Sequence, residues 1–341
     1  ILKFFTYSFM SKINISKSPS KINFDGDRKV SKIYCGNANS MAIIYKSNEV
    51  FIWGDGKKGQ LCCDKQFSDI PLPINDFNSR NIVKGSLGFN HCACISKDGK
   101  LFVWGSNENN KLGIKSHYEF ESTPRIVDSL TGVSKVSLGY QHSAVILVND
   151  ELYTWGNNYY GQLGHGDLMT KEEPVKIEYN DLKFTKVKCA FYHTIAIDKK
   201  QFVYVWGKGG VNLNTEVTKN KVSPQIIEDL KALKVKSIKV GNHNTVILTN
   251  NSEVYCFGDN SFNKASVDSE NEVTRNTKRL LFKGSTNNIC KIIKIYAGYN
   301  HCFAISESGE TFGWGSCSGF RLTDNYTEQQ KEPKEIVLFK Q

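Results

Sequence analysis

The chain has 341 residues, is 40% hydrophobic and carries a formal net charge of +10, enough to bury one large core or two ordinary ones. No run of residues approaches the eighteen or so apolar positions that a membrane-spanning helix needs, so an integral helical membrane protein is excluded. The ten cysteines include no Cys-x-x-Cys and need no disulfide framework at this size, which points to a reducing compartment, cytoplasmic or nuclear.

The chain opens on ILKFFTYSFM, apolar but short, with no basic leader and no small-residue cleavage site, and is not read as a signal peptide. It begins at Ile1 rather than Met, so a piece of a longer protein is expected. LKFFTYSF reads as a worn strand with Tyr7 in an aromatic place, and SPSKINF as a proline-led strand. From there the chain repeats. Trp-Gly occurs at Trp53, Trp104, Trp155, Trp206 and Trp314, and Phe-Gly at Phe257, in steps of 51, 51, 51, 51 and 57 residues. A second word, G-x-x-H or a variant of it, precedes each pair and places Asn39, His91, His142, His193, Asn244 and His301. A third, G-Q-L-G-like word puts Leu61, Leu112 and Leu163 eight residues after the tryptophan. The repeats end near residues 60, 113, 164, 214, 266 and 322 of a single domain covering 1–341.

A base is needed once, and four equivalent histidines cannot each be it, so His91, His142, His193 and His301 are read as structural. Each imidazole is expected to bond neighbouring backbone at a strand start, with the tryptophans filling the space between units. The glycines are read as tight turns with positive φ. Cys92 and Cys94 would share one strand face, which suits small buried residues better than metal ligands. No metal, no cofactor and no catalytic constellation is expected.

Each unit reads as four short strands: a proline-led one (PVKIEY, PRIVDSL, PQIIEDL), one ending at the glycine (TKVKCA, SKVSLG), one after the histidine (SAVILV, TVILT) and one ending in Trp-Gly (ELYTWG, KLFVWG). Four strands per unit of about fifty residues suggest an all-β propeller. These words, G-x-x-H-[ST]-x-A, L-Y-x-W-G and G-Q-L-G, resemble the regulator of chromosome condensation repeat over nearly the whole chain. The resemblance implies a seven-bladed β-propeller of four-stranded blades. Six copies are complete, so the seventh blade is expected as a composite of the head and of PKEIVLFKQ at the tail. The sixth copy's insertion, within VDSENEVTRNTKRLLFKGSTNNIC, is expected to be an exposed loop.

The two residues between each glycine and its histidine are free to vary and fall on one propeller face. Phe89, Asn90, Tyr140, Gln141, Phe191, Tyr192, Asn242, His243, Tyr299 and Asn300 form the candidate binding ring there, with Asn37 and Ala38 in the first copy. The expected function is a protein–protein interaction propeller, acting as a monomer. The resemblance implies an alternative, nucleotide exchange on a Ran-like small GTPase with chromatin association. In the family's exchange factor, acidic and histidine side chains at these loop positions meet the GTPase; here none of the twelve is acidic and only His243 titrates near neutrality. A light-sensing branch of the family carries Trp after the repeat glycine, where this chain has Asn, Phe or Tyr, so light sensing is not expected. Residues 181–240 hold twelve basic against five acidic side chains and are a third candidate surface, for nucleic acid, chromatin or an anionic membrane.

Overall fold

The computed structural model describes residues 22, 24, 28–209, 219–259, 273–284, 288–316 and 330–336. They form six four-stranded antiparallel sheets, each built from four strands consecutive in the chain. The inner strands are Val30–Cys35, Ile82–Leu87, Val133–Leu138, Phe184–Cys189, Val235–Val240 and Ile292–Ala297, one for each of blades 1 to 6. From blade 1 to blade 6 each inner strand touches the next, which sets them around the propeller axis.

Next outward comes the strand that begins at the repeat's histidine or asparagine. In blades 1, 2, 4 and 5 it is buried from end to end, as in His91–Ser96 and His193–Asp198. This strand has a partner on both sides and a blade against each face, so a continuous apolar run replaces the alternating pattern of a half-exposed sheet. The third strand carries the tryptophan. Trp104, Trp155, Trp206 and Trp314 are fully buried, and Trp53 nearly so. Phe77, which follows blade 1, packs edge-on against Phe102 and Trp104 of blade 2 at 5.5 and 5.6 Å, and Phe282 does the same to Phe312 and Trp314. Cys92 and Cys94 are buried together in the cluster between blades 1 and 2.

Among the described residues the architecture is a six-bladed propeller, which corrects the seven-bladed expectation. The reason lies in how the proline segments pair. Lys171–Lys176, Lys221–Ile226 and Gln330–Glu335 are outer strands, hydrogen-bonded to the tryptophan strand that precedes them. The tail segment pairs Phe312 with Glu335 and Gly315 with Gln330, so it completes blade 6 and does not open a seventh. LKFFTYSF and most of SPSKINF lie outside the described residues. Proline does not lead these strands either. Pro174 stands inside Lys171–Lys176, where Thr154 pairs with Val175 and Gly156 with Lys171 around an irregular step. An outer edge with a bulge tolerates the missing N–H. The insertion expected as a loop contributes Val273–Leu280, the outer strand of blade 5, formed without a proline.

The two conserved-looking glycine places in each repeat have different causes. After the tryptophan, Gly54, Gly105, Gly156, Gly207, Gly258 and Gly315 all have φ between 94° and 116°, a region that side chains resist. A Cβ on Gly156 would also lie 2.6 Å from the Gln141 carbonyl. Before the histidine, Gly88 and Gly139 have no positive φ, against the expectation of a turn. They are small because a Cβ on Gly88 would meet the His91 ring at 2.5 Å and the Gly139 carbonyl at 2.7 Å.

Candidate functional site

The repeat histidines His91, His142, His193 and His301 are all buried. His142 Nε2 lies 2.8 Å from Thr194 Oγ1 of the next blade, and His91 Nε2 lies 3.1 Å from Ser143 Oγ. Each hydroxyl donates its one proton to a loop carbonyl, Thr194 to Gln162 O and Ser143 to Lys111 O. The imidazole must therefore donate through Nε2. Trp206 Nε1 and Trp155 Nε1 donate to these same carbonyls at 2.9 and 3.0 Å. For His91 and His142 the partner is thus a hydroxyl one blade away and not adjacent backbone. Burial holds His142 and His193 down to about 3 and His91 well below its usual value, so they stay neutral. His301 is buried in the same place of blade 6. Neutral, enclosed rings of this kind make no general acid or base at neutral pH.

The candidate ring is drawn together by backbone. Phe89 N donates to Gly139 O at 3.1 Å, Tyr140 N to Ala190 O, Phe191 N to Asn242 O and Asn242 N to Tyr299 O, each bond crossing to the next blade. The aromatic side chains converge in consequence. Tyr140 stacks on Phe191 with centroids 3.9 Å apart and planes 13° apart, and Phe89 meets Tyr140 edge-on at 4.4 Å. Phe191 also lies 6.1 Å from Phe89, 5.5 Å from His243 and 6.4 Å from Tyr299. One side chain from blade 4 therefore touches rings from blades 2, 3, 5 and 6. Tyr192 joins it at 4.5 Å and reaches His243 at 5.9 Å. Partial burial raises the Tyr140 and Tyr192 hydroxyls above their ordinary range, so they are neutral donors.

The second residue of each pair behaves differently from the first: Tyr192 accepts Lys208 N through its carbonyl at 2.9 Å, and the amides in that place do the same. Asn90, Gln141 and Asn300 offer their backbone carbonyls to Ser106 N, Asn157 N and Ser316 N, at 2.8, 2.9 and 2.8 Å. They shape the loops, and the rings fill the centre. Three further residues belong to the face and were not singled out by the glycine–histidine spacing. Tyr160 lies 4.8 Å from Tyr192, Tyr159 lies 5.0 Å from Tyr160 and is 70% exposed, and Lys208 Nζ stands 5.0 Å above both Tyr160 and Tyr192. The signal was present as the pair Tyr159-Tyr160 after Trp155-Gly156, but only the third dimension places it beside the ring.

The regulator of chromosome condensation (RCC1) repeat matches residues 47–95, 98–146 and 149–197, and a second form of the same repeat matches 82–111, 133–162 and 235–264. The chain belongs to the RCC1 repeat family. Among curated RCC1-like relatives, the ultraviolet-B receptor UVR8 of Arabidopsis thaliana is 26% identical over 94% of this chain and 72% of its own. The human E3 ubiquitin-protein ligase HERC2 is 28% identical over 87% of this chain, which spans 6% of that protein's length. Among solved structures, Prp20p of Saccharomyces cerevisiae, described with its binding to Gsp1p and histones, superposes with a TM-score of 0.79 at 18% identity. That likeness covers 94% of this chain and 80% of Prp20p and shows the RCC1 fold. Among the described residues no helix is long and apolar enough to cross a membrane, and no group of three metal-ligating side chains occurs.

Proposed function

We propose that this RCC1-repeat propeller docks a protein partner on the face that carries the glycine–histidine loops. The observation that carries the reading is the convergence of aromatic side chains from five blades on this face, with exposed apolar residues in the neighbouring loops. Tyr118, Phe120, Tyr159, Leu168, Met169 and Tyr299 are all exposed, by 42 to 73%, at this end of the blades. Of these, Tyr299 meets the fused cluster of Phe89, Tyr140, Phe191 and Tyr192, and Tyr159 reaches it through Tyr160. A rigid aromatic centre with exposed tyrosine and methionine in the neighbouring loops is the composition of a binding patch. The test is site-specific photocrosslinking. A crosslinker at Tyr159 or Tyr299 is expected to yield discrete adducts with one partner, and one at Val148, on the opposite end, to yield none. Equal labelling at both ends overturns the reading.

Nucleotide exchange on a Ran-like small GTPase is the second reading, supported by the fold shared with Prp20p, which binds Gsp1p. Such a propeller acts by holding the nucleotide-free GTPase better than the loaded one. Release of a fluorescent guanine nucleotide, accelerated a hundredfold or more by excess protein, supports it; unchanged release removes it for that GTPase. Chromatin or nucleic-acid binding through residues 181–240 has less to work with, because that segment's lysines are divided. Lys183 pairs with Glu151, Lys199 with Asp150 and Lys231 with Glu228, while Lys186, Lys188 and Lys239 line inner strands. Its test is a steep loss of binding with salt. We assign the protein to the cytoplasm or nucleus, as a monomer, in keeping with the buried thiols of Cys92, Cys94 and Cys189.

A further inference from the structure

The six inner strands read VSKIYC, IVKGSL, VSKVSL, FTKVKC, VKSIKV and IIKIYA. None contains Asp or Glu. Lysine holds the third place in five of them: Lys32, Lys84, Lys135, Lys186 and Lys294. Lys32, Lys84 and Lys186 each donate to a carbonyl of the next inner strand, Val83 O at 2.6 Å, Ser134 O at 2.5 Å and Lys236 O at 2.5 Å. These bonds tie blade to blade around the axis with neutral acceptors, and of the five third-place lysines Lys135 has the Asp150 carboxylate bearing on it.

The fifth place is more telling. In blades 2 and 3 it holds Ser86 and Ser137, whose hydroxyls accept the backbone N–H of Leu138 and Cys189 at 3.1 and 2.9 Å. A small neutral residue therefore satisfies the position. Blades 4 and 5 instead place Lys188 and Lys239 there, side by side and partly buried. Burial and the Lys239 ammonium bring Lys188 down to about 8, burial lowers Lys239, and no carboxylate bears on either. Among the described residues, Lys239 faces the ring of Tyr296, 5.8 Å from its Nζ. Two half-buried cations without a counter-charge cost folding free energy. A structural role explains the third-place amines and leaves these two unexplained. The loops that follow the inner strands carry the Phe89–Tyr140–Phe191–Tyr299 cluster, which closes the axis at that end.

We propose that the inner strands leave an axial channel beneath the aromatic cluster and that it is an anion site, in which Lys188 and Lys239, backed by the third-place lysines, hold a compact polyphosphate. The anion enters from the end opposite the cluster. Its phosphoryl oxygens supply the charge and the acceptors that the inner strands lack. The site is independent of any partner on the loop face.

The probes are inorganic tripolyphosphate and myo-inositol hexakisphosphate, followed by calorimetry and thermal unfolding of the whole chain. One equivalent of either is expected to bind and to raise Tm by roughly 3 °C or more at a hundredfold excess over Kd. Binding of the linear anion identifies a polyphosphate chain as the source, and binding of the cyclic one alone identifies an inositol phosphate. Lys188→Gln and Lys239→Gln are each expected to weaken binding about tenfold or more, while Lys231→Gln, at a surface pair with Glu228, leaves it unchanged. Both channel variants are expected to melt no lower than the parent without anion, which checks that they fold. The proposal is overturned if neither anion binds. It is equally overturned if the Lys188→Gln/Lys239→Gln double variant binds as tightly as the parent, since that locates the anion on the outer surface.

Discussion

His142 Nε2 sits 2.8 Å from Thr194 Oγ1, and the bond joins blade 3 to blade 4. The equivalent pair one blade on, His193 and Thr245, forms no such bond, and both imidazole nitrogens and the hydroxyl are buried without a partner. The two threonines therefore differ sharply in what they contribute. Thr194→Val removes a bonded hydroxyl and strands His142, and is expected to destabilise by about 1–3 kcal/mol. Thr245→Val is expected to be neutral or slightly stabilising. Urea unfolding of the two variants checks the contrast, and equal losses would contradict it.

Acid should unfold the protein through these same histidines. Burial depresses His142 and His193 to about 3 in the folded state, against about 6.5 when unfolded. Between those values the unfolded chain binds the extra protons, so stability falls as pH drops below about 6.5 and is fully present above it. Each histidine contributes a slope of about 1.4 kcal/mol per pH unit in that window. Asparagine fills the place in Asn39 and Asn244, so His142→Asn is expected to fold and to show a shallower acid limb in thermal unfolding between pH 4 and 6.5.

Lys111 is a buried cation that its neighbours do without. It is 1% exposed, its Nζ reaches Glu108 Oε2 only at 3.9 Å, and burial pulls it down to about 8. Blades 1 and 3 place Gln60 and Gln162 here. Lys111→Gln keeps the carbonyl that Trp155 and Ser143 use and is expected to stabilise by on the order of 1–3 kcal/mol at pH 7. The parent should gain stability as pH rises from about 8 to 10.5, because the unfolded lysine still holds its proton there. The variant should lose that limb, and chemical unfolding at pH 7 and 9.5 tests both statements.

Backbone at the tryptophan strand's end is the least tolerant point. Gly156 combines φ of 97° with the nearby Gln141 carbonyl, whereas Gly166, with φ of 86°, has open space where a Cβ would go. Gly156→Ala is expected to cost 3 kcal/mol or more, and Gly166→Ala about 1 kcal/mol. Thermal unfolding of the pair separates strain from collision.

Phe191 is the keystone of the loop face. Phe191→Ala is expected to weaken partner binding tenfold or more while Tm falls by only a few degrees, since the ring is partly exposed and lies outside the sheets. An interaction unaffected by Phe191→Ala, measured with the crosslinked partner, would place that partner elsewhere.

Much of this was legible from spacing alone. Periodic Trp-Gly and histidine words gave the family, the four-stranded unit and the ten loop residues, because each blade solves the same packing problem with the same side chains. Blade number was not legible. PKEI at residues 333–336 looks like a beginning when its proline is read as a strand's first residue, and hydrogen bonding to Phe312 and Gly315 makes it an end. Nor did spacing reveal that the partner of His91 and of His142 is a hydroxyl 52 residues away, because Ser143 and Thr194 read as ordinary strand residues until adjacent blades are set side by side. The lysines of residues 181–240 read as one basic surface, yet alternate strands send them to an ion pair, an outer loop or the axis.

The outer strand of each blade comes from the segment that follows its tryptophan word, so sequence units and blades overlap like roof tiles. Between Trp53 and Phe257 the step never varies from 51 residues. Any 51 consecutive residues removed within that span take away one blade's worth of chain and leave the cut ends in matching phase. The fold is therefore indifferent to where a unit is said to start, and gene duplication or loss could add or drop a blade at any point without having to find a boundary.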